Sequence, residues 1–252
     1  MKVTGRGVII LVVATLLAAP GMGQSAGLEP EADRLLLEMS TFTAGLSQFS
    51  VQAETTFEIV LKSGEKIQLD SPANLAIQRP DKMRADRQGG LVNQELFYDG
   101  RTLSLFMPDE KYFATVKAPP TIEATLDFAR TALDLFAPGG DLIYANSYEV
   151  LMEDVISGFY VGLSVVGGVK CHHLAFRGNE VDWQIWVAAG EKRLPQKLVI
   201  TSKWITGAPQ FTMTVKSWNL APQFTEEMFT FTPPPDAQQI DFLRSVSKAP
   251  LK

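Results

Sequence analysis

A two-residue hydrophobic period, recurring in short segments with few helices between them, constrains this chain more than any other feature. Val51, Ala53, Phe57, Ile59 and Leu61 are set among Gln52, Glu54, Thr56, Glu58 and Val60. Neighbouring side chains on a strand point to opposite faces, so this alternation describes a half-buried antiparallel strand. Ser63-Gly64 supplies a turn and 65–78 continues as a second strand. Pro72 is expected to bend or split that strand, because proline donates nothing to a ladder. Short strands follow at 82–87, 95–98, 102–107 and 112–117, separated by Gly89-Gly90, Asp99-Gly100 and Pro108-Asp109. The pattern resumes at 159–166, 170–177, 181–188, 196–204 and 211–220. Strands joined by short loops imply one large antiparallel sheet and exclude βαβ units. An open apolar face of that size must curl, close or be covered. The expected fold class is mainly β (α+β), a large curled antiparallel sheet or incomplete β-barrel covered by a helix.

Two segments break the strand period. Over 29–45, Leu35, Met39, Phe42 and Leu46 fall on one helical face, with Glu31 and Asp33 in the first turns and Gly45 near the end. Over 121–137, Ile122, Leu126, Ala129, Leu133 and Phe136 form one stripe, and Phe128, Ala132 and Leu135 form a second beside it. Thr121 can cap this helix, and Pro138-Gly139-Gly140 ends it. A helix so apolar around its circumference needs contact on more than one side.

The beginning of the chain reads as an address. Lys2 and Arg6 precede the uncharged stretch 8–19, and Gly21 and Gly23 fit a small-residue cleavage site, so residues 1–23 are expected to be a secretory signal peptide. The apolar run is shorter than the roughly 20 residues a membrane span needs, and no later segment reaches that length, so no transmembrane segment is expected after cleavage. A single domain over 24–243 and a flexible tail over 244–252 complete the expected organisation. The localisation that follows is periplasmic.

Composition excludes more than it identifies. Lys plus Arg number 23 against 28 Asp plus Glu, a net charge of −5, with no basic run to hold nucleic acid. Cys171 is the sole cysteine, so no intramolecular disulfide can form and the fold must hold by core burial. No Gly-x-Ser-x-Gly elbow and no phosphate-binding Gly-x-x-x-x-Gly-Lys loop occurs. Cys171-His172-His173 invites a metal reading, but on a strand only Cys171 and His173 share a side. Zinc wants three or four ligands, so a small buried cysteine beside polar histidines is the better account. Trp183 and Trp186 fall on opposite faces, and Trp183 is expected to anchor the core. Glu153-Asp154 and Glu226-Glu227 read as solvated loop acids. No catalytic residue, metal or cofactor is expected.

The late residues carry a family pattern. Gly168-Val169-Lys170-Cys171-His172-His173-Leu174-Ala175-Phe176-Arg177, Val181-Asp182-Trp183-Gln184-Ile185-Trp186 and Leu194-Pro195-Gln196-Lys197-Leu198-Val199-Ile200 resemble the DUF2092 family of predicted periplasmic proteins. Pro209-Gln210-Phe211-Thr212, Asn219-Leu220-Ala221-Pro222 and Phe229-Thr230-Phe231-Thr232-Pro233-Pro234 fit the same family, and the resemblance runs from about residue 30 to 243. The family is similar in architecture to the lipoprotein carriers LolA and LolB, incomplete barrels that hold acyl chains under a helical lid. The resemblance implies no catalytic residues. Without a lipidated N-terminal cysteine, the chain is closer to the soluble LolA type.

The function expected is non-enzymatic: binding or carrying a lipid or other hydrophobic ligand between the curled sheet and the helix at 121–137. Phe57, Ile59 and Leu61 from the first long strand, with Leu126, Leu133 and Phe136 from the helix, are the expected lining. The alternative is an envelope scaffold that binds another protein and carries no ligand.

Overall fold

The computed structural model describes residues 27–89, 92–135 and 137–242. The expected signal peptide at 1–23, Phe136 and the tail at 244–252 lie outside those residues. Helix α1 (Pro30–Ala44) is followed by a meander of six strands, β1 (Gln48–Val60), β2 (Lys66–Gln78), β3 (Lys82–Arg87), β4 (Gln94–Tyr98), β5 (Thr102–Met107) and β6 (Tyr112–Lys117). Helices α2 (Ile122–Ala132) and α3 (Ser147–Met152) come next. A second meander then runs through β7 (Val155–Val166), β8 (Val169–Gly178), β9 (Val181–Ala188), β10 (Pro195–Ser202) and β11 (Gln210–Asn219). A two-residue strand, β12 (Gln238–Gln239), comes last.

All twelve strands belong to one open sheet in the order β12-β6-β5-β4-β3-β2-β1-β11-β10-β9-β8-β7. The two meanders meet where β1 pairs with β11. Every pairing is antiparallel except β12 with β6, which makes the sheet mixed where an antiparallel one was expected. That short parallel strand brings back a C-terminal segment whose Phe231 packs on Phe97, Phe106 and Phe113, with ring centroids 5.3–5.5 Å apart.

Pro72 does not split β2. Its carbonyl accepts from Gln88 N–H at 3.0 Å, so its nitrogen points toward the β3 side, just beyond the last β2–β3 pair at Ala73 and Arg87. The missing N–H withholds only the reciprocal bond to Gln88 at the end of the β2–β3 ladder, and Pro72 stays in register opposite Glu54. Helix α2 is shorter than its hydrophobic stripe suggests. It ends at Ala132, Asp134 takes a left-handed φ of 54°, and Leu135 N–H closes the turn on the Ala129 carbonyl. The stripe continues through Leu133 and Leu135, but the chain there is already a loop.

Both long helices lie on the same face of the sheet. α1 buries Ala32, Leu35, Leu36 and Met39 against Leu174, Phe176, Trp183, Ile185, Val187 and Leu198. α2 packs Ile122 and Ala129, with Leu133 just past its end, on Phe49, Ile77, Met83, Tyr98 and Leu103. These five sheet residues form one row across five strands: Phe49 opposes Ile77, Ile77 Met83, Met83 Tyr98, and Tyr98 Leu103.

Candidate ligand cavity

The next two rows of the same face are the floor of a cavity of about 320 Å³. In the first row Trp218, Val51, Leu75, Ala85, Leu96 and Leu105 stand opposite one another in turn. In the second, Val215, Ala53, Ala73, Arg87 and Gln94 do the same. All eleven side chains line the cavity, with Met213, Thr55, Phe57 and Phe211 beyond them. The middle of this floor consists of Ala53, Ala73 and Ala85. Three methyl groups stand where neighbouring positions carry leucine, valine or aromatic rings, and the missing side-chain volume is the room above them. Interiors elsewhere close such gaps, because an unfilled void forfeits its contacts.

The roof is the loop after α2. Leu135, Ala137, Pro138, Gly139, Gly140, Leu142 and Ile143 face the floor, and Thr43 from the end of α1 closes one side. Gly139, at φ 81°, brings the backbone so close to the sheet that a Cβ there would meet Leu198 at 3.3 Å. The loop is fastened at its far end. Arg79 Nη1 donates to Glu123 Oε1 at 3.0 Å and its Nη2 to the Ile143 carbonyl, and the same Glu123 oxygen accepts from Ala145 N–H. Burial lowers the Arg79 pKa, and its ion pair with Glu123 opposes that shift. Tyr144 donates to Asp127 Oδ1 at 2.8 Å, tying the same loop to α2; burial first, then this bond, raises its pKa.

The polar residues along the wall are Thr43, Thr55, Asn74, Asp86, Arg87 and Gln94. Thr43 and Thr55 are spent on backbone carbonyls, those of Met39 and Ser40 and that of Ser71. Arg87 differs. Its guanidinium carbon lies 4.2 Å from the centroid of the half-buried Phe57 ring, its Nε is enclosed without a hydrogen bond, and burial lowers its pKa.

Of the six residues expected to line a site, Phe57 stands on the cavity wall. Ile59 and Leu61 share its strand face but lie past the covered rows, each 40% exposed. Leu126 and Leu133 belong to the core between α2 and the sheet rather than to the wall, because α2 sits on the row beside the floor. Phe136 lies outside the described residues. Sequence reasoning missed the three alanines and Arg87. Their period-two spacing was visible, but only the register sets Ala53 beside Ala73 and Ala73 beside Arg87.

The cysteine–histidine run is occupied by structure. Cys171 is buried, His172 shares a hydrogen bond with Tyr160 at 3.1 Å, and His173 stacks on Trp186 at 4.0 Å and bonds Gln184. Among the described residues no cluster of three metal-binding side chains occurs. Trp183 faces the core, stacked on Phe176 at 4.1 Å, and Trp186 lies on the other face. No helix among the described residues is long and apolar enough to cross a membrane.

Comparison with solved structures returns distant likenesses. LprF from Mycobacterium bovis aligns over 84% of this chain and 100% of its own, at 15% identity and a TM-score of 0.47. An uncharacterized conserved protein from Thermus thermophilus aligns over 84% and 99%, at 12% identity and 0.49. The LolA superfamily protein NE2245 from Nitrosomonas europaea aligns over 79% and 97%, at 11% identity and 0.39. None of the curated proteins compared with the chain matches it. The family model of DUF2092, a predicted periplasmic protein, matches residues 32–243, and with most of its length inside that match the chain belongs to this family.

Proposed function

We propose that residues 1–23 direct export, and that 24–243 form a single domain, a non-enzymatic periplasmic protein that binds or carries a lipid or other hydrophobic ligand. The observation behind this reading is the cavity of about 320 Å³ with an alanine-floored, mostly apolar wall. Ligand sites span roughly 300–1,000 Å³ and are mostly apolar with a few placed polar groups, and this one fits the lower end. An apolar guest there gains about 0.8 kcal/mol for each methylene removed from water.

The test is to fill the space from the floor. Ala73→Phe should lower uptake of a fluorescent fatty acyl probe at least about tenfold, the milder Ala85→Leu less, with circular dichroism confirming the fold. Folded variants that take up the probe as the parent does would remove the cavity from consideration.

One observation favours the alternative, an envelope scaffold. The edge strand β7 is covered by residues 27–29 at Gly158 and Tyr160, and beyond them it exposes Leu163 at 54% and Val165 at 68%. An exposed apolar edge offers a template for another chain. Native mass spectrometry of protein from cells separates the readings, since co-purified lipid supports the carrier and a bare chain bound to a protein partner supports the scaffold.

A further inference from the structure

Resting on the carrier reading, we infer that the guest is an anionic single-chain amphiphile, its alkyl tail over the alanine floor and its carboxylate or phosphate head on the Arg87 guanidinium. Arg87 has no carboxylate partner and no side-chain hydrogen bond among the described residues. The nearest acid in sequence is already committed: Asp86 receives Arg84 Nε at 2.9 Å, and Glu95 receives Arg84 Nη2 at 3.2 Å. Asp86 and Glu95 oppose each other one residue out of phase with Arg87; Asp86 also borders the cavity, but both of its carboxylate oxygens are held by Arg84 Nε. Gln94, directly opposite Arg87 in the ladder, likewise makes no side-chain hydrogen bond among the described residues, which places a second free donor beside the first.

A half-buried cation in an apolar wall is costly without a counter-charge. The Phe57 ring supplies part of the compensation through its π face and also fixes the guanidinium in place. With Nε enclosed, the Nη groups are the ones left to offer a ligand, and their planar fork matches a carboxylate or phosphate. Volume limits the tail: about 320 Å³ suits one chain better than several. A positively charged head would meet Arg87 by repulsion, and an uncharged one would leave it unpaired.

The experiment is competition for a fluorescent acyl probe on the full mature chain. Hexadecanoic acid, hexadecyl phosphate, hexadecanol and hexadecyltrimethylammonium share a tail and differ in the head. The acid and the phosphate ester should compete at least about tenfold better than the alcohol, and the cation worst. Arg87→Gln should bring the acid and ester down to the level of the alcohol, and Arg87→Lys, which keeps the charge without the fork, should fall between. Acid and alcohol competing equally on the parent protein would overturn the headgroup assignment and leave the carrier reading standing. Failure of all four on folded protein would overturn the carrier reading itself. Acetate and inorganic phosphate should not compete; competition by either would mark a free-anion site and overturn the amphiphile.

Discussion

The two halves of the sheet face carry helices of similar kind and treat the space beneath them differently. Under α1 the floor is Leu174, Phe176, Trp183, Ile185 and Val187, and Ala32, Leu35, Leu36 and Met39 of the helix pack with it into one buried core. Beside α2 the floor drops to Ala53, Ala73 and Ala85, and what covers it is a loop rather than a helix. The lesson is that helix polarity does not locate a ligand space. Side-chain volume on the sheet locates it, together with a roof that stops being helical where the small residues begin.

Three measurements would break or sharpen that contrast. The largest effect should come from truncation in the solid half: Ile185→Ala should cost about 2–5 kcal/mol in urea unfolding. Ala85→Leu in the other half should stay within about 1 kcal/mol of the parent, because the added methylenes enter open space. Equal losses for the two would mean that the halves are packed alike. Next, Thr121 Oγ1 accepts from Ala124 N–H at 3.2 Å at the start of α2. Thr121→Ala should therefore cost about 1 kcal/mol, and probe uptake by that variant reads whether α2 positions the roof.

The smallest effect is a pH response confined to the solid half. His172 and His173 both have lowered pKa values, each first by burial and then by a cation, Arg193 and Lys197 respectively; Glu31 opposes the shift at His172 and the Gln184 bond opposes it at His173. A histidine with a depressed folded pKa contributes stability that is present above the ordinary imidazole value of about 6.5 and lost as pH falls through the folded pKa. The melting temperature should therefore decline modestly on acidification from about pH 7 to about pH 5, and less so in a His172→Gln, His173→Gln double variant. An identical decline in that variant would assign the effect to other groups.

Much of the sheet was legible because a strand half-buried on one face writes its period directly into the sequence. β3, β5, β6 and β9 fall where their alternation and turn residues put them, and Thr121 caps the helix that follows it. Propensity misled where a tertiary neighbour decided the outcome. Pro72 is tolerated because it falls at the end of the β2–β3 ladder, where only one bond is withheld, and the stripe of α2 outlasts its helix because Asp134 turns the chain. The candidate site was less legible still. Phe57 was identifiable as a large apolar residue on the inner face, whereas an alanine in a strand carries no mark of what stands opposite it.

The sequence by itself determined that the chain would be a strand-rich sheet with two longer helices and no cysteine cross-link, since hydrophobic period and turn chemistry are local properties; the short α3 carried no such signal. Only the tertiary structure decided that β1 would pair with β11, joining two meanders into one sheet. It alone decided that three alanines from separate strands would lie side by side, with Arg87 at their edge. Register is a relation between distant segments, and empty volume is a property of what fails to meet, so neither can be read from any one stretch of the chain.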